Sequence, residues 1–278
     1  MILTVDIGNT TICAADMEQD GRGKYTARFT ARMDTVPDRS AGAYLAELRE
    51  LLAEAGIRAG AFRGAVLSSV VPALEEQLRG CARTLTGTEP VVITSKSDTG
   101  LTIDLAEPDK VGRDRLVDAA WAAACFPLPV LTVDMGTATT FSVVDADRVF
   151  RGGVNAPGVA TGLQAPTDRT AQLPAVELET PRHVIGRTTA GCMRSGAVAG
   201  AAALVDGITA RIEAELGEPV TLVMTGGLAR YVEPLCAHPH IYDPDVLLKG
   251  LTLLYERNAG RTCGETCKLL VVFLANIC

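Results

Sequence analysis

Residues 5–11 read Val-Asp-Ile-Gly-Asn-Thr-Thr, and residues 133–140 return to the pattern as Val-Asp-Met-Gly-Thr-Ala-Thr-Thr. Each copy lies between two short apolar runs, which predicts a strand, a tight turn and a second strand. The segments around the two copies also follow a similar order of strands and helices. A pattern repeated about half a chain apart indicates a duplicated α/β unit.

Hydrophobic periodicity and turn residues place the remaining elements. Around the first copy, strands are predicted over residues 1–7, 11–16, 24–31, 64–71 and 90–94, and helices over 41–56, 72–86 and 114–125. Around the second copy, strands are predicted over 130–134, 139–145, 148–154 and 220–224, and helices over 158–170, 188–216 and 245–257. This order predicts one domain over 1–115, a second over 116–258, and a tail over 259–278 that has no assigned role.

Composition narrows the class of protein. Of the 278 residues, 47% are hydrophobic and 21% are charged, which is typical of a globular chain. The net charge is −7 and no cluster of Lys or Arg stands out, so a nucleic-acid partner is not expected. The first residues do not read as a signal peptide, and the apolar run at 269–276 is short of the roughly 20 residues of a spanning helix. We therefore expect a cytoplasmic protein without a membrane segment.

The cysteines and histidines offer weak candidates for metal sites. The eight cysteines are scattered, which predicts reduced thiols rather than a disulfide framework. Cys263 and Cys267 have the spacing of half a metal site, but no second pair lies nearby in the sequence. His238 and His240 flank a proline, and we interpret them as solvated surface histidines because no third ligand is evident.

The repeated Asp-x-Gly turn suits phosphate chemistry. Its aspartate, Asp6 or Asp134, places a carboxylate at the end of a strand, where a hard cation can be held. The glycine allows a phosphate to approach the backbone, and threonine hydroxyls and turn N–H groups donate to phosphate oxygens. One such turn is usually a plain hairpin. Two copies predict a polyphosphate bound between two loops that face each other across a cleft.

A third glycine turn, Thr225-Gly226-Gly227, follows the strand predicted at 220–224. Without side chains it can pack against a flat base or sugar, although a plain strand-to-helix turn is the alternative. Taken with the two acidic turns, it predicts a site for adenosine beside two sites for phosphate.

These motifs together resemble the actin, sugar-kinase and heat-shock ATPase superfamily and, within it, type III pantothenate kinase. The resemblance covers about residues 1–258. The motifs that carry it are Asp6-Ile-Gly-Asn-Thr10, Gly112-Arg-Asp-Arg115, Asp134-Met-Gly-Thr-Ala-Thr139, Gly152-Gly-Val-Asn-Ala-Pro-Gly158, Ile185-Gly-Arg-Thr-Thr189 and Thr225-Gly-Gly227. The resemblance implies duplicated ribonuclease H-like domains, each a mixed sheet flanked by helices.

The same resemblance implies an activity and its partners. The expected reaction is ATP-dependent phosphorylation of pantothenate to 4'-phosphopantothenate, the first step of coenzyme A biosynthesis. ATP is the expected co-substrate, with Mg²⁺ and a monovalent cation, K⁺ or NH₄⁺, as cofactors. A homodimer is implied as well. The helix over 195–212 has closely spaced alanines and glycines that suit a contact between helices, or burial within its own domain.

The roles of individual residues are also carried by the resemblance. ATP is expected to bind the loop formed by Asp6, Ile7, Gly8, Asn9, Thr10, Thr11, Ile12 and Cys13, with Asp6 near Mg²⁺, and to contact Thr137. Asp134 is expected to hold the monovalent cation. Pantothenate is expected to contact Leu105, Gly112, Arg113, Asp114, Arg115 and Thr189, with Asp114 as the proton acceptor.

Elementary chemistry supports a role for the Gly112–Arg115 segment. A hydroxyl nucleophile has a high pKa, so a nearby carboxylate such as Asp114 is a suitable acceptor for its proton. The start of a helix favours the ionised carboxylate, and Arg115 suits the carboxylate of a substrate. The alternative is a helix-capping aspartate between solvated arginines.

Three positions depart from the family pattern. Leu105 stands where the family often has tyrosine, and Asn155 stands where isoleucine is usual. Pro166 lies where the family tends to be helical, so we expect that helix to be broken or shortened. Two further functions therefore stay open: a non-catalytic accessory or regulatory relative, and a superfamily kinase for another small hydroxyl compound.

Overall fold

A computed structural model describes residues 1–20, 25–58, 60–169 and 176–259. The chain forms two compact units. Among the described residues, the first comprises those within 1–101, 106–125 and 246–259, and the second comprises those within 102–105 and 126–245. The boundary predicted after residue 115 falls inside a helix, Arg113–Cys125, that lies entirely in the first unit.

The strands and helices are as follows in chain order. The strands are β1 (Ile2–Ile7), β2 (Thr11–Gln19), β3 (Tyr25–Asp34), β4 (Ala65–Ser69), β5 (Val91–Val92), β6 (Thr102–Ile103), β7 (Val130–Met135), β8 (Ala138–Val144), β9 (Val149–Pro157), β10 (Thr221–Thr225) and β11 (His240–Tyr242). The helices are α1 (Ala41–Glu54), α2 (Pro72–Thr86), α3 (Arg113–Cys125), α4 (Val159–Arg169), α5 (Thr189–Leu216), α6 (Ala229–Val232) and α7 (Val246–Asn258).

The two sheets have the same strand order, which confirms the duplication. In the first unit the order is β3-β2-β1-β4-β5. In the second unit, read in the same direction, it is β6-β9-β8-β7-β10-β11. In both, three antiparallel strands are followed by parallel strands on the other side of the first strand. The second sheet differs by the addition of β6 at its edge. Each acidic turn therefore joins two neighbouring strands of its sheet, β1 and β2 in the first and β7 and β8 in the second.

Helices cover both faces of the first sheet. One face packs against α1 and α2 through residues such as Leu3, Tyr44 and Leu74. On the other face, side chains of α3 and α7 pack against Ile2 and Val66. This packing explains why α3 and α7 belong with the first sheet, although 120 residues separate them along the chain. In the second unit, α4 and α5 contribute to the core around β7 and β10.

Local signals explain why several helices begin and end where they do. Ser40 caps α1, since its Oγ accepts a hydrogen bond from the backbone N–H of Ala43 at 3.2 Å. Pro72 is the first residue of α2, where its missing N–H costs no intrahelical bond. Thr188 caps α5 through a 3.0 Å bond from the N–H of Gly191. The predicted bounds of α2 are confirmed.

Some predicted features are different in the structure. The helix α4 continues through position 166 to Arg169, so the expected break at Pro166 is wrong. A proline removes one hydrogen bond from a helix, and here the helix continues despite that loss. The strands β6 and β11, with two and three residues, were not predicted. The strand predicted over 90–94 is present as β5 but is shorter, Val91–Val92. Cys263, Cys267 and nearly all of the predicted tail lie outside the described residues.

Within the described part of the chain, no helix combines the length and the apolar character that crossing a membrane requires.

Candidate active site

The first acidic turn lies between β1 and β2, as predicted. Asp6 is half-buried and aligns with Cys13 on β2 and Ser68 on β4. The turn is held by Thr35, whose Oγ1 donates to the carbonyl oxygen of Gly8 at 2.7 Å. The backbone N–H of Thr35 also donates to the carbonyl oxygen of Thr10 at 3.0 Å. The conformation of the turn is thus fixed by the residue that follows β3.

The residues predicted to form this ATP loop differ in exposure. Asn9 and Thr10 are exposed at the tip of the turn. Ile7 and Ile12 are fully buried and form part of the core under the turn. Their side chains therefore support the loop, and a phosphate would meet them only through the backbone.

The second acidic turn has the same construction in the second unit. Asp134 is half-buried and aligns with Thr140 on β8 and Thr225 on β10. Thr137 is exposed at the tip of the turn, and its carbonyl oxygen accepts a 3.2 Å hydrogen bond from Thr161 Oγ1. A threonine from outside the hairpin thus holds each turn.

The third turn packs directly on the second. Gly226 has a φ of +95°, and a Cβ at this position would lie 2.3 Å from Asp134 Oδ1. The backbone N–H of Leu228 donates to the carbonyl oxygen of Met135 at 3.0 Å. Glycine is required here both by the backbone conformation and by the close approach to the carboxylate. The structure therefore brings together the predicted adenosine turn and the predicted cation ligand Asp134.

The third predicted acidic residue lies at the start of α3. Asp114 is the second residue of that helix, so it is not the N-cap. Its Oδ1 accepts a 2.8 Å hydrogen bond from the backbone N–H of Arg115. A Cβ on Gly112 would lie 2.5 Å from the same oxygen, so glycine leaves room for the carboxylate to fold back over the turn. The carboxylate remains half-buried.

The two arginines beside Asp114 are both engaged with the protein. Arg113 forms an ion pair with Glu75 on α2, and about a quarter of each side chain is exposed (28% and 27%). Burial lowers the pKa of the Arg115 guanidinium, and the Asp114 carboxylate opposes that shift. The alternative of solvated arginines is therefore wrong.

The remaining two predicted pantothenate contacts lie in the second unit. Leu105 follows β6 and lies against Gly152 of β9. The adjacent Asp104 pairs with Arg151 at 2.5 Å, and Arg151 also pairs with Asp145 at 2.7 Å. Thr189 is the first residue of α5 and is exposed. The segment Gly112–Arg115 lies in the first unit.

The structure also tests the predictions made for two histidines and for the described cysteines. His238 Nε2 lies 3.1 Å from Glu213 and His240 Nε2 lies 3.3 Å from Glu233, with both rings largely covered, so the interpretation as solvated histidines is wrong. Within the described ranges, no three His, Cys, Asp or Glu side chains are grouped as metal ligands. The described cysteines are free thiols, as predicted: Cys13, Cys81, Cys125, Cys192 and Cys236.

Sequence reasoning missed the residues that support these motifs. Each of these contacts reaches a motif residue at least 24 positions away along the chain. They come from Glu75, which pairs with Arg113, and from Thr35 and Thr161, which hold the two acidic turns. None belongs to a recognisable motif. A threonine after the third strand of each repeat is the one signal that the sequence offered.

Comparison with known proteins identifies a family model and individual relatives that match this chain. The family model for type III pantothenate kinase matches residues 2–211. A type III pantothenate kinase from Phenylobacterium zucineum is 38% identical over 261 residues, which cover 94% of this chain and 100% of the relative. One from Acidiphilium cryptum is 39% identical over 258 residues, covering 93% of this chain and 95% of the relative.

Solved structures show the same fold at low sequence identity. A Campylobacter jejuni protein described as a Baf family transcriptional activator has a TM-score of 0.57 and 18% identity, with 93% of this chain and 99% of that chain covered. The Acidaminococcus fermentans (R)-2-hydroxyglutaryl-CoA dehydratase component A has a TM-score of 0.50 and 14% identity, with 91% and 96% covered. These likenesses concern the fold alone, and they confirm the predicted actin-like α/β class.

Proposed function

The chain belongs to the type III pantothenate kinase family, and from that premise we propose how its residues carry out the ATP-dependent phosphorylation of pantothenate. The reaction yields 4'-phosphopantothenate, the first step of coenzyme A biosynthesis. The observation that carries this function is the match to relatives over nearly the whole chain, with Asp6, Asp114 and Asp134 all present.

ATP binds the two acidic turns in this proposal. The loop Asp6–Cys13 and Thr137 contact its phosphates, and the turn at Gly226 contacts its adenosine. Phosphoryl transfer depends on alignment and charge neutralisation more than on covalent chemistry, so fixed turns are suitable supports. The hydrogen bonds from Thr35 and Thr161 support the proposal, because they hold the turns in one conformation.

The two cations of the proposal fit the oxygen atoms present. Mg²⁺ is commonly held by one or two carboxylates together with substrate phosphates rather than by a cage of protein ligands. The lack of a three-ligand cluster among the described residues is compatible with Asp6 serving alone beside the phosphates. Asp134 Oδ1 lies beside the backbone at Met135 and Gly226, a carboxylate and carbonyl environment that suits K⁺ or NH₄⁺. These ions neutralise phosphate charge when bound.

Pantothenate contacts the start of α3 in this proposal. Asp114 accepts the proton of the attacking hydroxyl, and Arg115 pairs with the substrate carboxylate. Gly112 and the backbone of Arg113 complete this side of the pocket, and Leu105 and Thr189 supply further contacts. The half-buried position of Asp114 supports its assignment, because a proton acceptor must be both held in place and reachable by substrate.

We also propose a cytoplasmic homodimer. The helix α5 has apolar residues that pack against the core of their own unit but stay only partly buried, such as Ala197, Ala201 and Leu204. Small side chains allow close approach of a second helix. Light scattering of the purified chain tests this proposal, and we expect a molar mass equal to that of two chains.

One observation favours an acceptor other than pantothenate. Leu105 gives the pocket an apolar contact without the phenolic hydroxyl that the family often has at this place. A kinase for another small hydroxyl compound is therefore the alternative that the assay must separate from pantothenate phosphorylation. The accessory alternative is disfavoured because Asp6, Asp114 and Asp134 are all present.

The test is a coupled assay on the purified full chain with ATP and Mg²⁺. Pantothenate is compared with other small alcohols, each with and without K⁺, and ADP release and phosphorylated product are both measured. We expect pantothenate to be the preferred acceptor and K⁺ to raise the rate. ADP release with a different alcohol, and none with pantothenate, would contradict the proposed substrate. Absence of turnover with every acceptor would favour the accessory alternative.

A further inference from the structure

The ion pair between Glu75 and Arg113 joins the first turns of two helices in the first unit. Glu75 lies in the first turn of α2 and Arg113 is the first residue of α3. The two positions are 38 residues apart, and both side chains are largely covered. Because the pair is shielded from solvent, it restricts the two turns more than a fully exposed ion pair would.

The start of α2 is tied to the first acidic turn. Ser69, the last residue of β4, aligns with Ile7 on β1, and the N–H of Val70 donates to the carbonyl oxygen of Ile7 at 3.0 Å. Ser69 Oγ then accepts from the N–H of Val71 at 3.1 Å, and Pro72 begins the helix. Glu75 is therefore connected to the strand of Asp6 through a short, hydrogen-bonded segment.

The start of α3 carries the proposed proton acceptor. Arg113 immediately precedes Asp114, whose carboxylate folds back over Gly112. The segment also holds two guanidinium groups beside one carboxylate. Glu75 supplies a second negative charge and draws the Arg113 guanidinium toward α2, leaving Arg115 as the cation closely associated with Asp114.

We propose that Glu75 is a positioning residue for the phosphoryl transfer. Acting through Arg113, it holds the first turn of α3, and with it Asp114, at a fixed place relative to the acidic turn at Asp6. Glu75, Arg113, Asp114 and Asp6 all lie in one compact unit, so the ion pair sets the geometry between proton acceptor and phosphate loop within that unit. The inference rests on the proposed function of Asp114.

Steady-state kinetics of Glu75→Gln test the proposal in the full chain. We expect kcat to fall about 10- to 100-fold, since displacement of a catalytic group by an ångström has effects of that size. KM for ATP and pantothenate should change by less than about twofold, because the substrate contacts themselves remain. Glu75→Asp should recover most of the rate. Glu76→Gln is the matched control, because Glu76 is 77% exposed and pairs with Arg79 on the same helix.

A double variant tests whether the effect passes through Arg113. If it does, adding Glu75→Gln to Arg113→Gln lowers kcat no further. Additive losses in the double variant, or a wild-type kcat for Glu75→Gln, would overturn the proposal.

Hydrogen exchange gives a measurement that does not depend on turnover. Glu75→Gln should speed amide exchange over residues 112–116, while Glu76→Gln should leave it unchanged. Unchanged amide exchange in both variants would overturn the positioning role of Glu75, even if no acceptor were phosphorylated. A wild-type chain that fails to phosphorylate pantothenate would instead count against the proposed function.

Discussion

At the residue scale, the proposed proton acceptor gives the sharpest expectation. Asp114→Asn removes the acceptor but preserves the size of the side chain and its hydrogen bond from Arg115. We expect kcat to fall about 10²- to 10⁴-fold, the usual contribution of general base catalysis, with the melting temperature unchanged. Asp38→Asn in the same unit is the control, since Asp38 is exposed. A variant at position 114 with full activity would remove Asp114 from this role.

Asp16 illustrates a residue that opposes stability. Its side chain is fully buried on β2, and neither carboxylate oxygen has a hydrogen-bond partner among the described residues. Burial raises the pKa of Asp16, while the positive charges of the N-terminus and Arg28 oppose the rise. The folded chain therefore binds this proton more tightly than the unfolded chain does. The resulting loss of stability is present above the raised pKa and disappears as the pH falls toward the unfolded value.

Asp16→Asn should consequently stabilise the chain at neutral pH. We expect the free energy of unfolding in urea to rise by about 1 kcal/mol or more at pH 7.5, because asparagine removes the buried negative charge and each pKa unit of a shift is worth about 1.4 kcal/mol. The gain should shrink at pH 5, where the native carboxyl is more fully protonated. Glu50→Gln, at an exposed position on α1 of the same unit, is the control. An equal gain at both pH values would contradict the explanation.

The sequence predicted the acidic residues but not the residues that support them. Asp6, Asp114 and Asp134 belong to short motifs whose chemistry can be recognised locally. Glu75 and Thr35 act across long separations in the chain, so only the folded structure reveals the ion pair of Glu75 with Arg113 and the hydrogen bond of Thr35 with Gly8. The histidine pairs with Glu213 and Glu233 escaped for the same reason.

At the scale of elements, the packing of the third turn on β7 can be tested with two glycines. Gly226 and Gly217 both have positive φ angles, +95° and +79°, so alanine should destabilise either site by about 1–2 kcal/mol. At Gly217 a Cβ has no neighbour within 4 Å, whereas at Gly226 it meets Asp134. We therefore expect Gly226→Ala to lose about 1–3 kcal/mol more, from steric overlap.

Kinetics should separate the same two variants. Gly226→Ala displaces the Asp134 carboxylate, so KM for ATP and the K⁺ concentration for half-maximal rate should both rise. Gly217→Ala should leave both unchanged. Equal behaviour of the two variants in unfolding and kinetics would show that the turn at Gly226 does not support the site.

Most elements could be predicted because they are long and have clear periodicity or caps. The start of α2 was indicated by Pro72, and the two hairpins were indicated by apolar runs on either side of each turn. The strand β2 nevertheless extends to Gln19, beyond the predicted end at residue 16. The expectation at Pro166 failed because one lost hydrogen bond does not by itself end a helix. The strands β6 and β11 are two and three residues long, and each pairs with the edge of a longer strand, β9 or β10.

At the scale of the whole molecule, duplication explains both the fold and the repeated motif. Two sheets with the same strand order place an acidic turn at the same point of each repeat. The sequence revealed this symmetry through the turns. It did not reveal that α3 and α7 pack on the first sheet, because that arrangement depends on contacts between Val117, Ala120, Leu251 and Leu254.

The duplication also raises a direct question, since two similar turns could bind one ATP together or one ATP each. Calorimetric titration of the full chain with a non-hydrolysable ATP analogue, Mg²⁺ and K⁺ answers it. The account predicts one equivalent per chain, and an affinity that falls about tenfold or more in Asp6→Asn and also in Asp134→Asn, as for loss of a charge-assisted interaction. Two equivalents per chain, or wild-type affinity in either variant, would contradict the claim that both turns serve a single nucleotide.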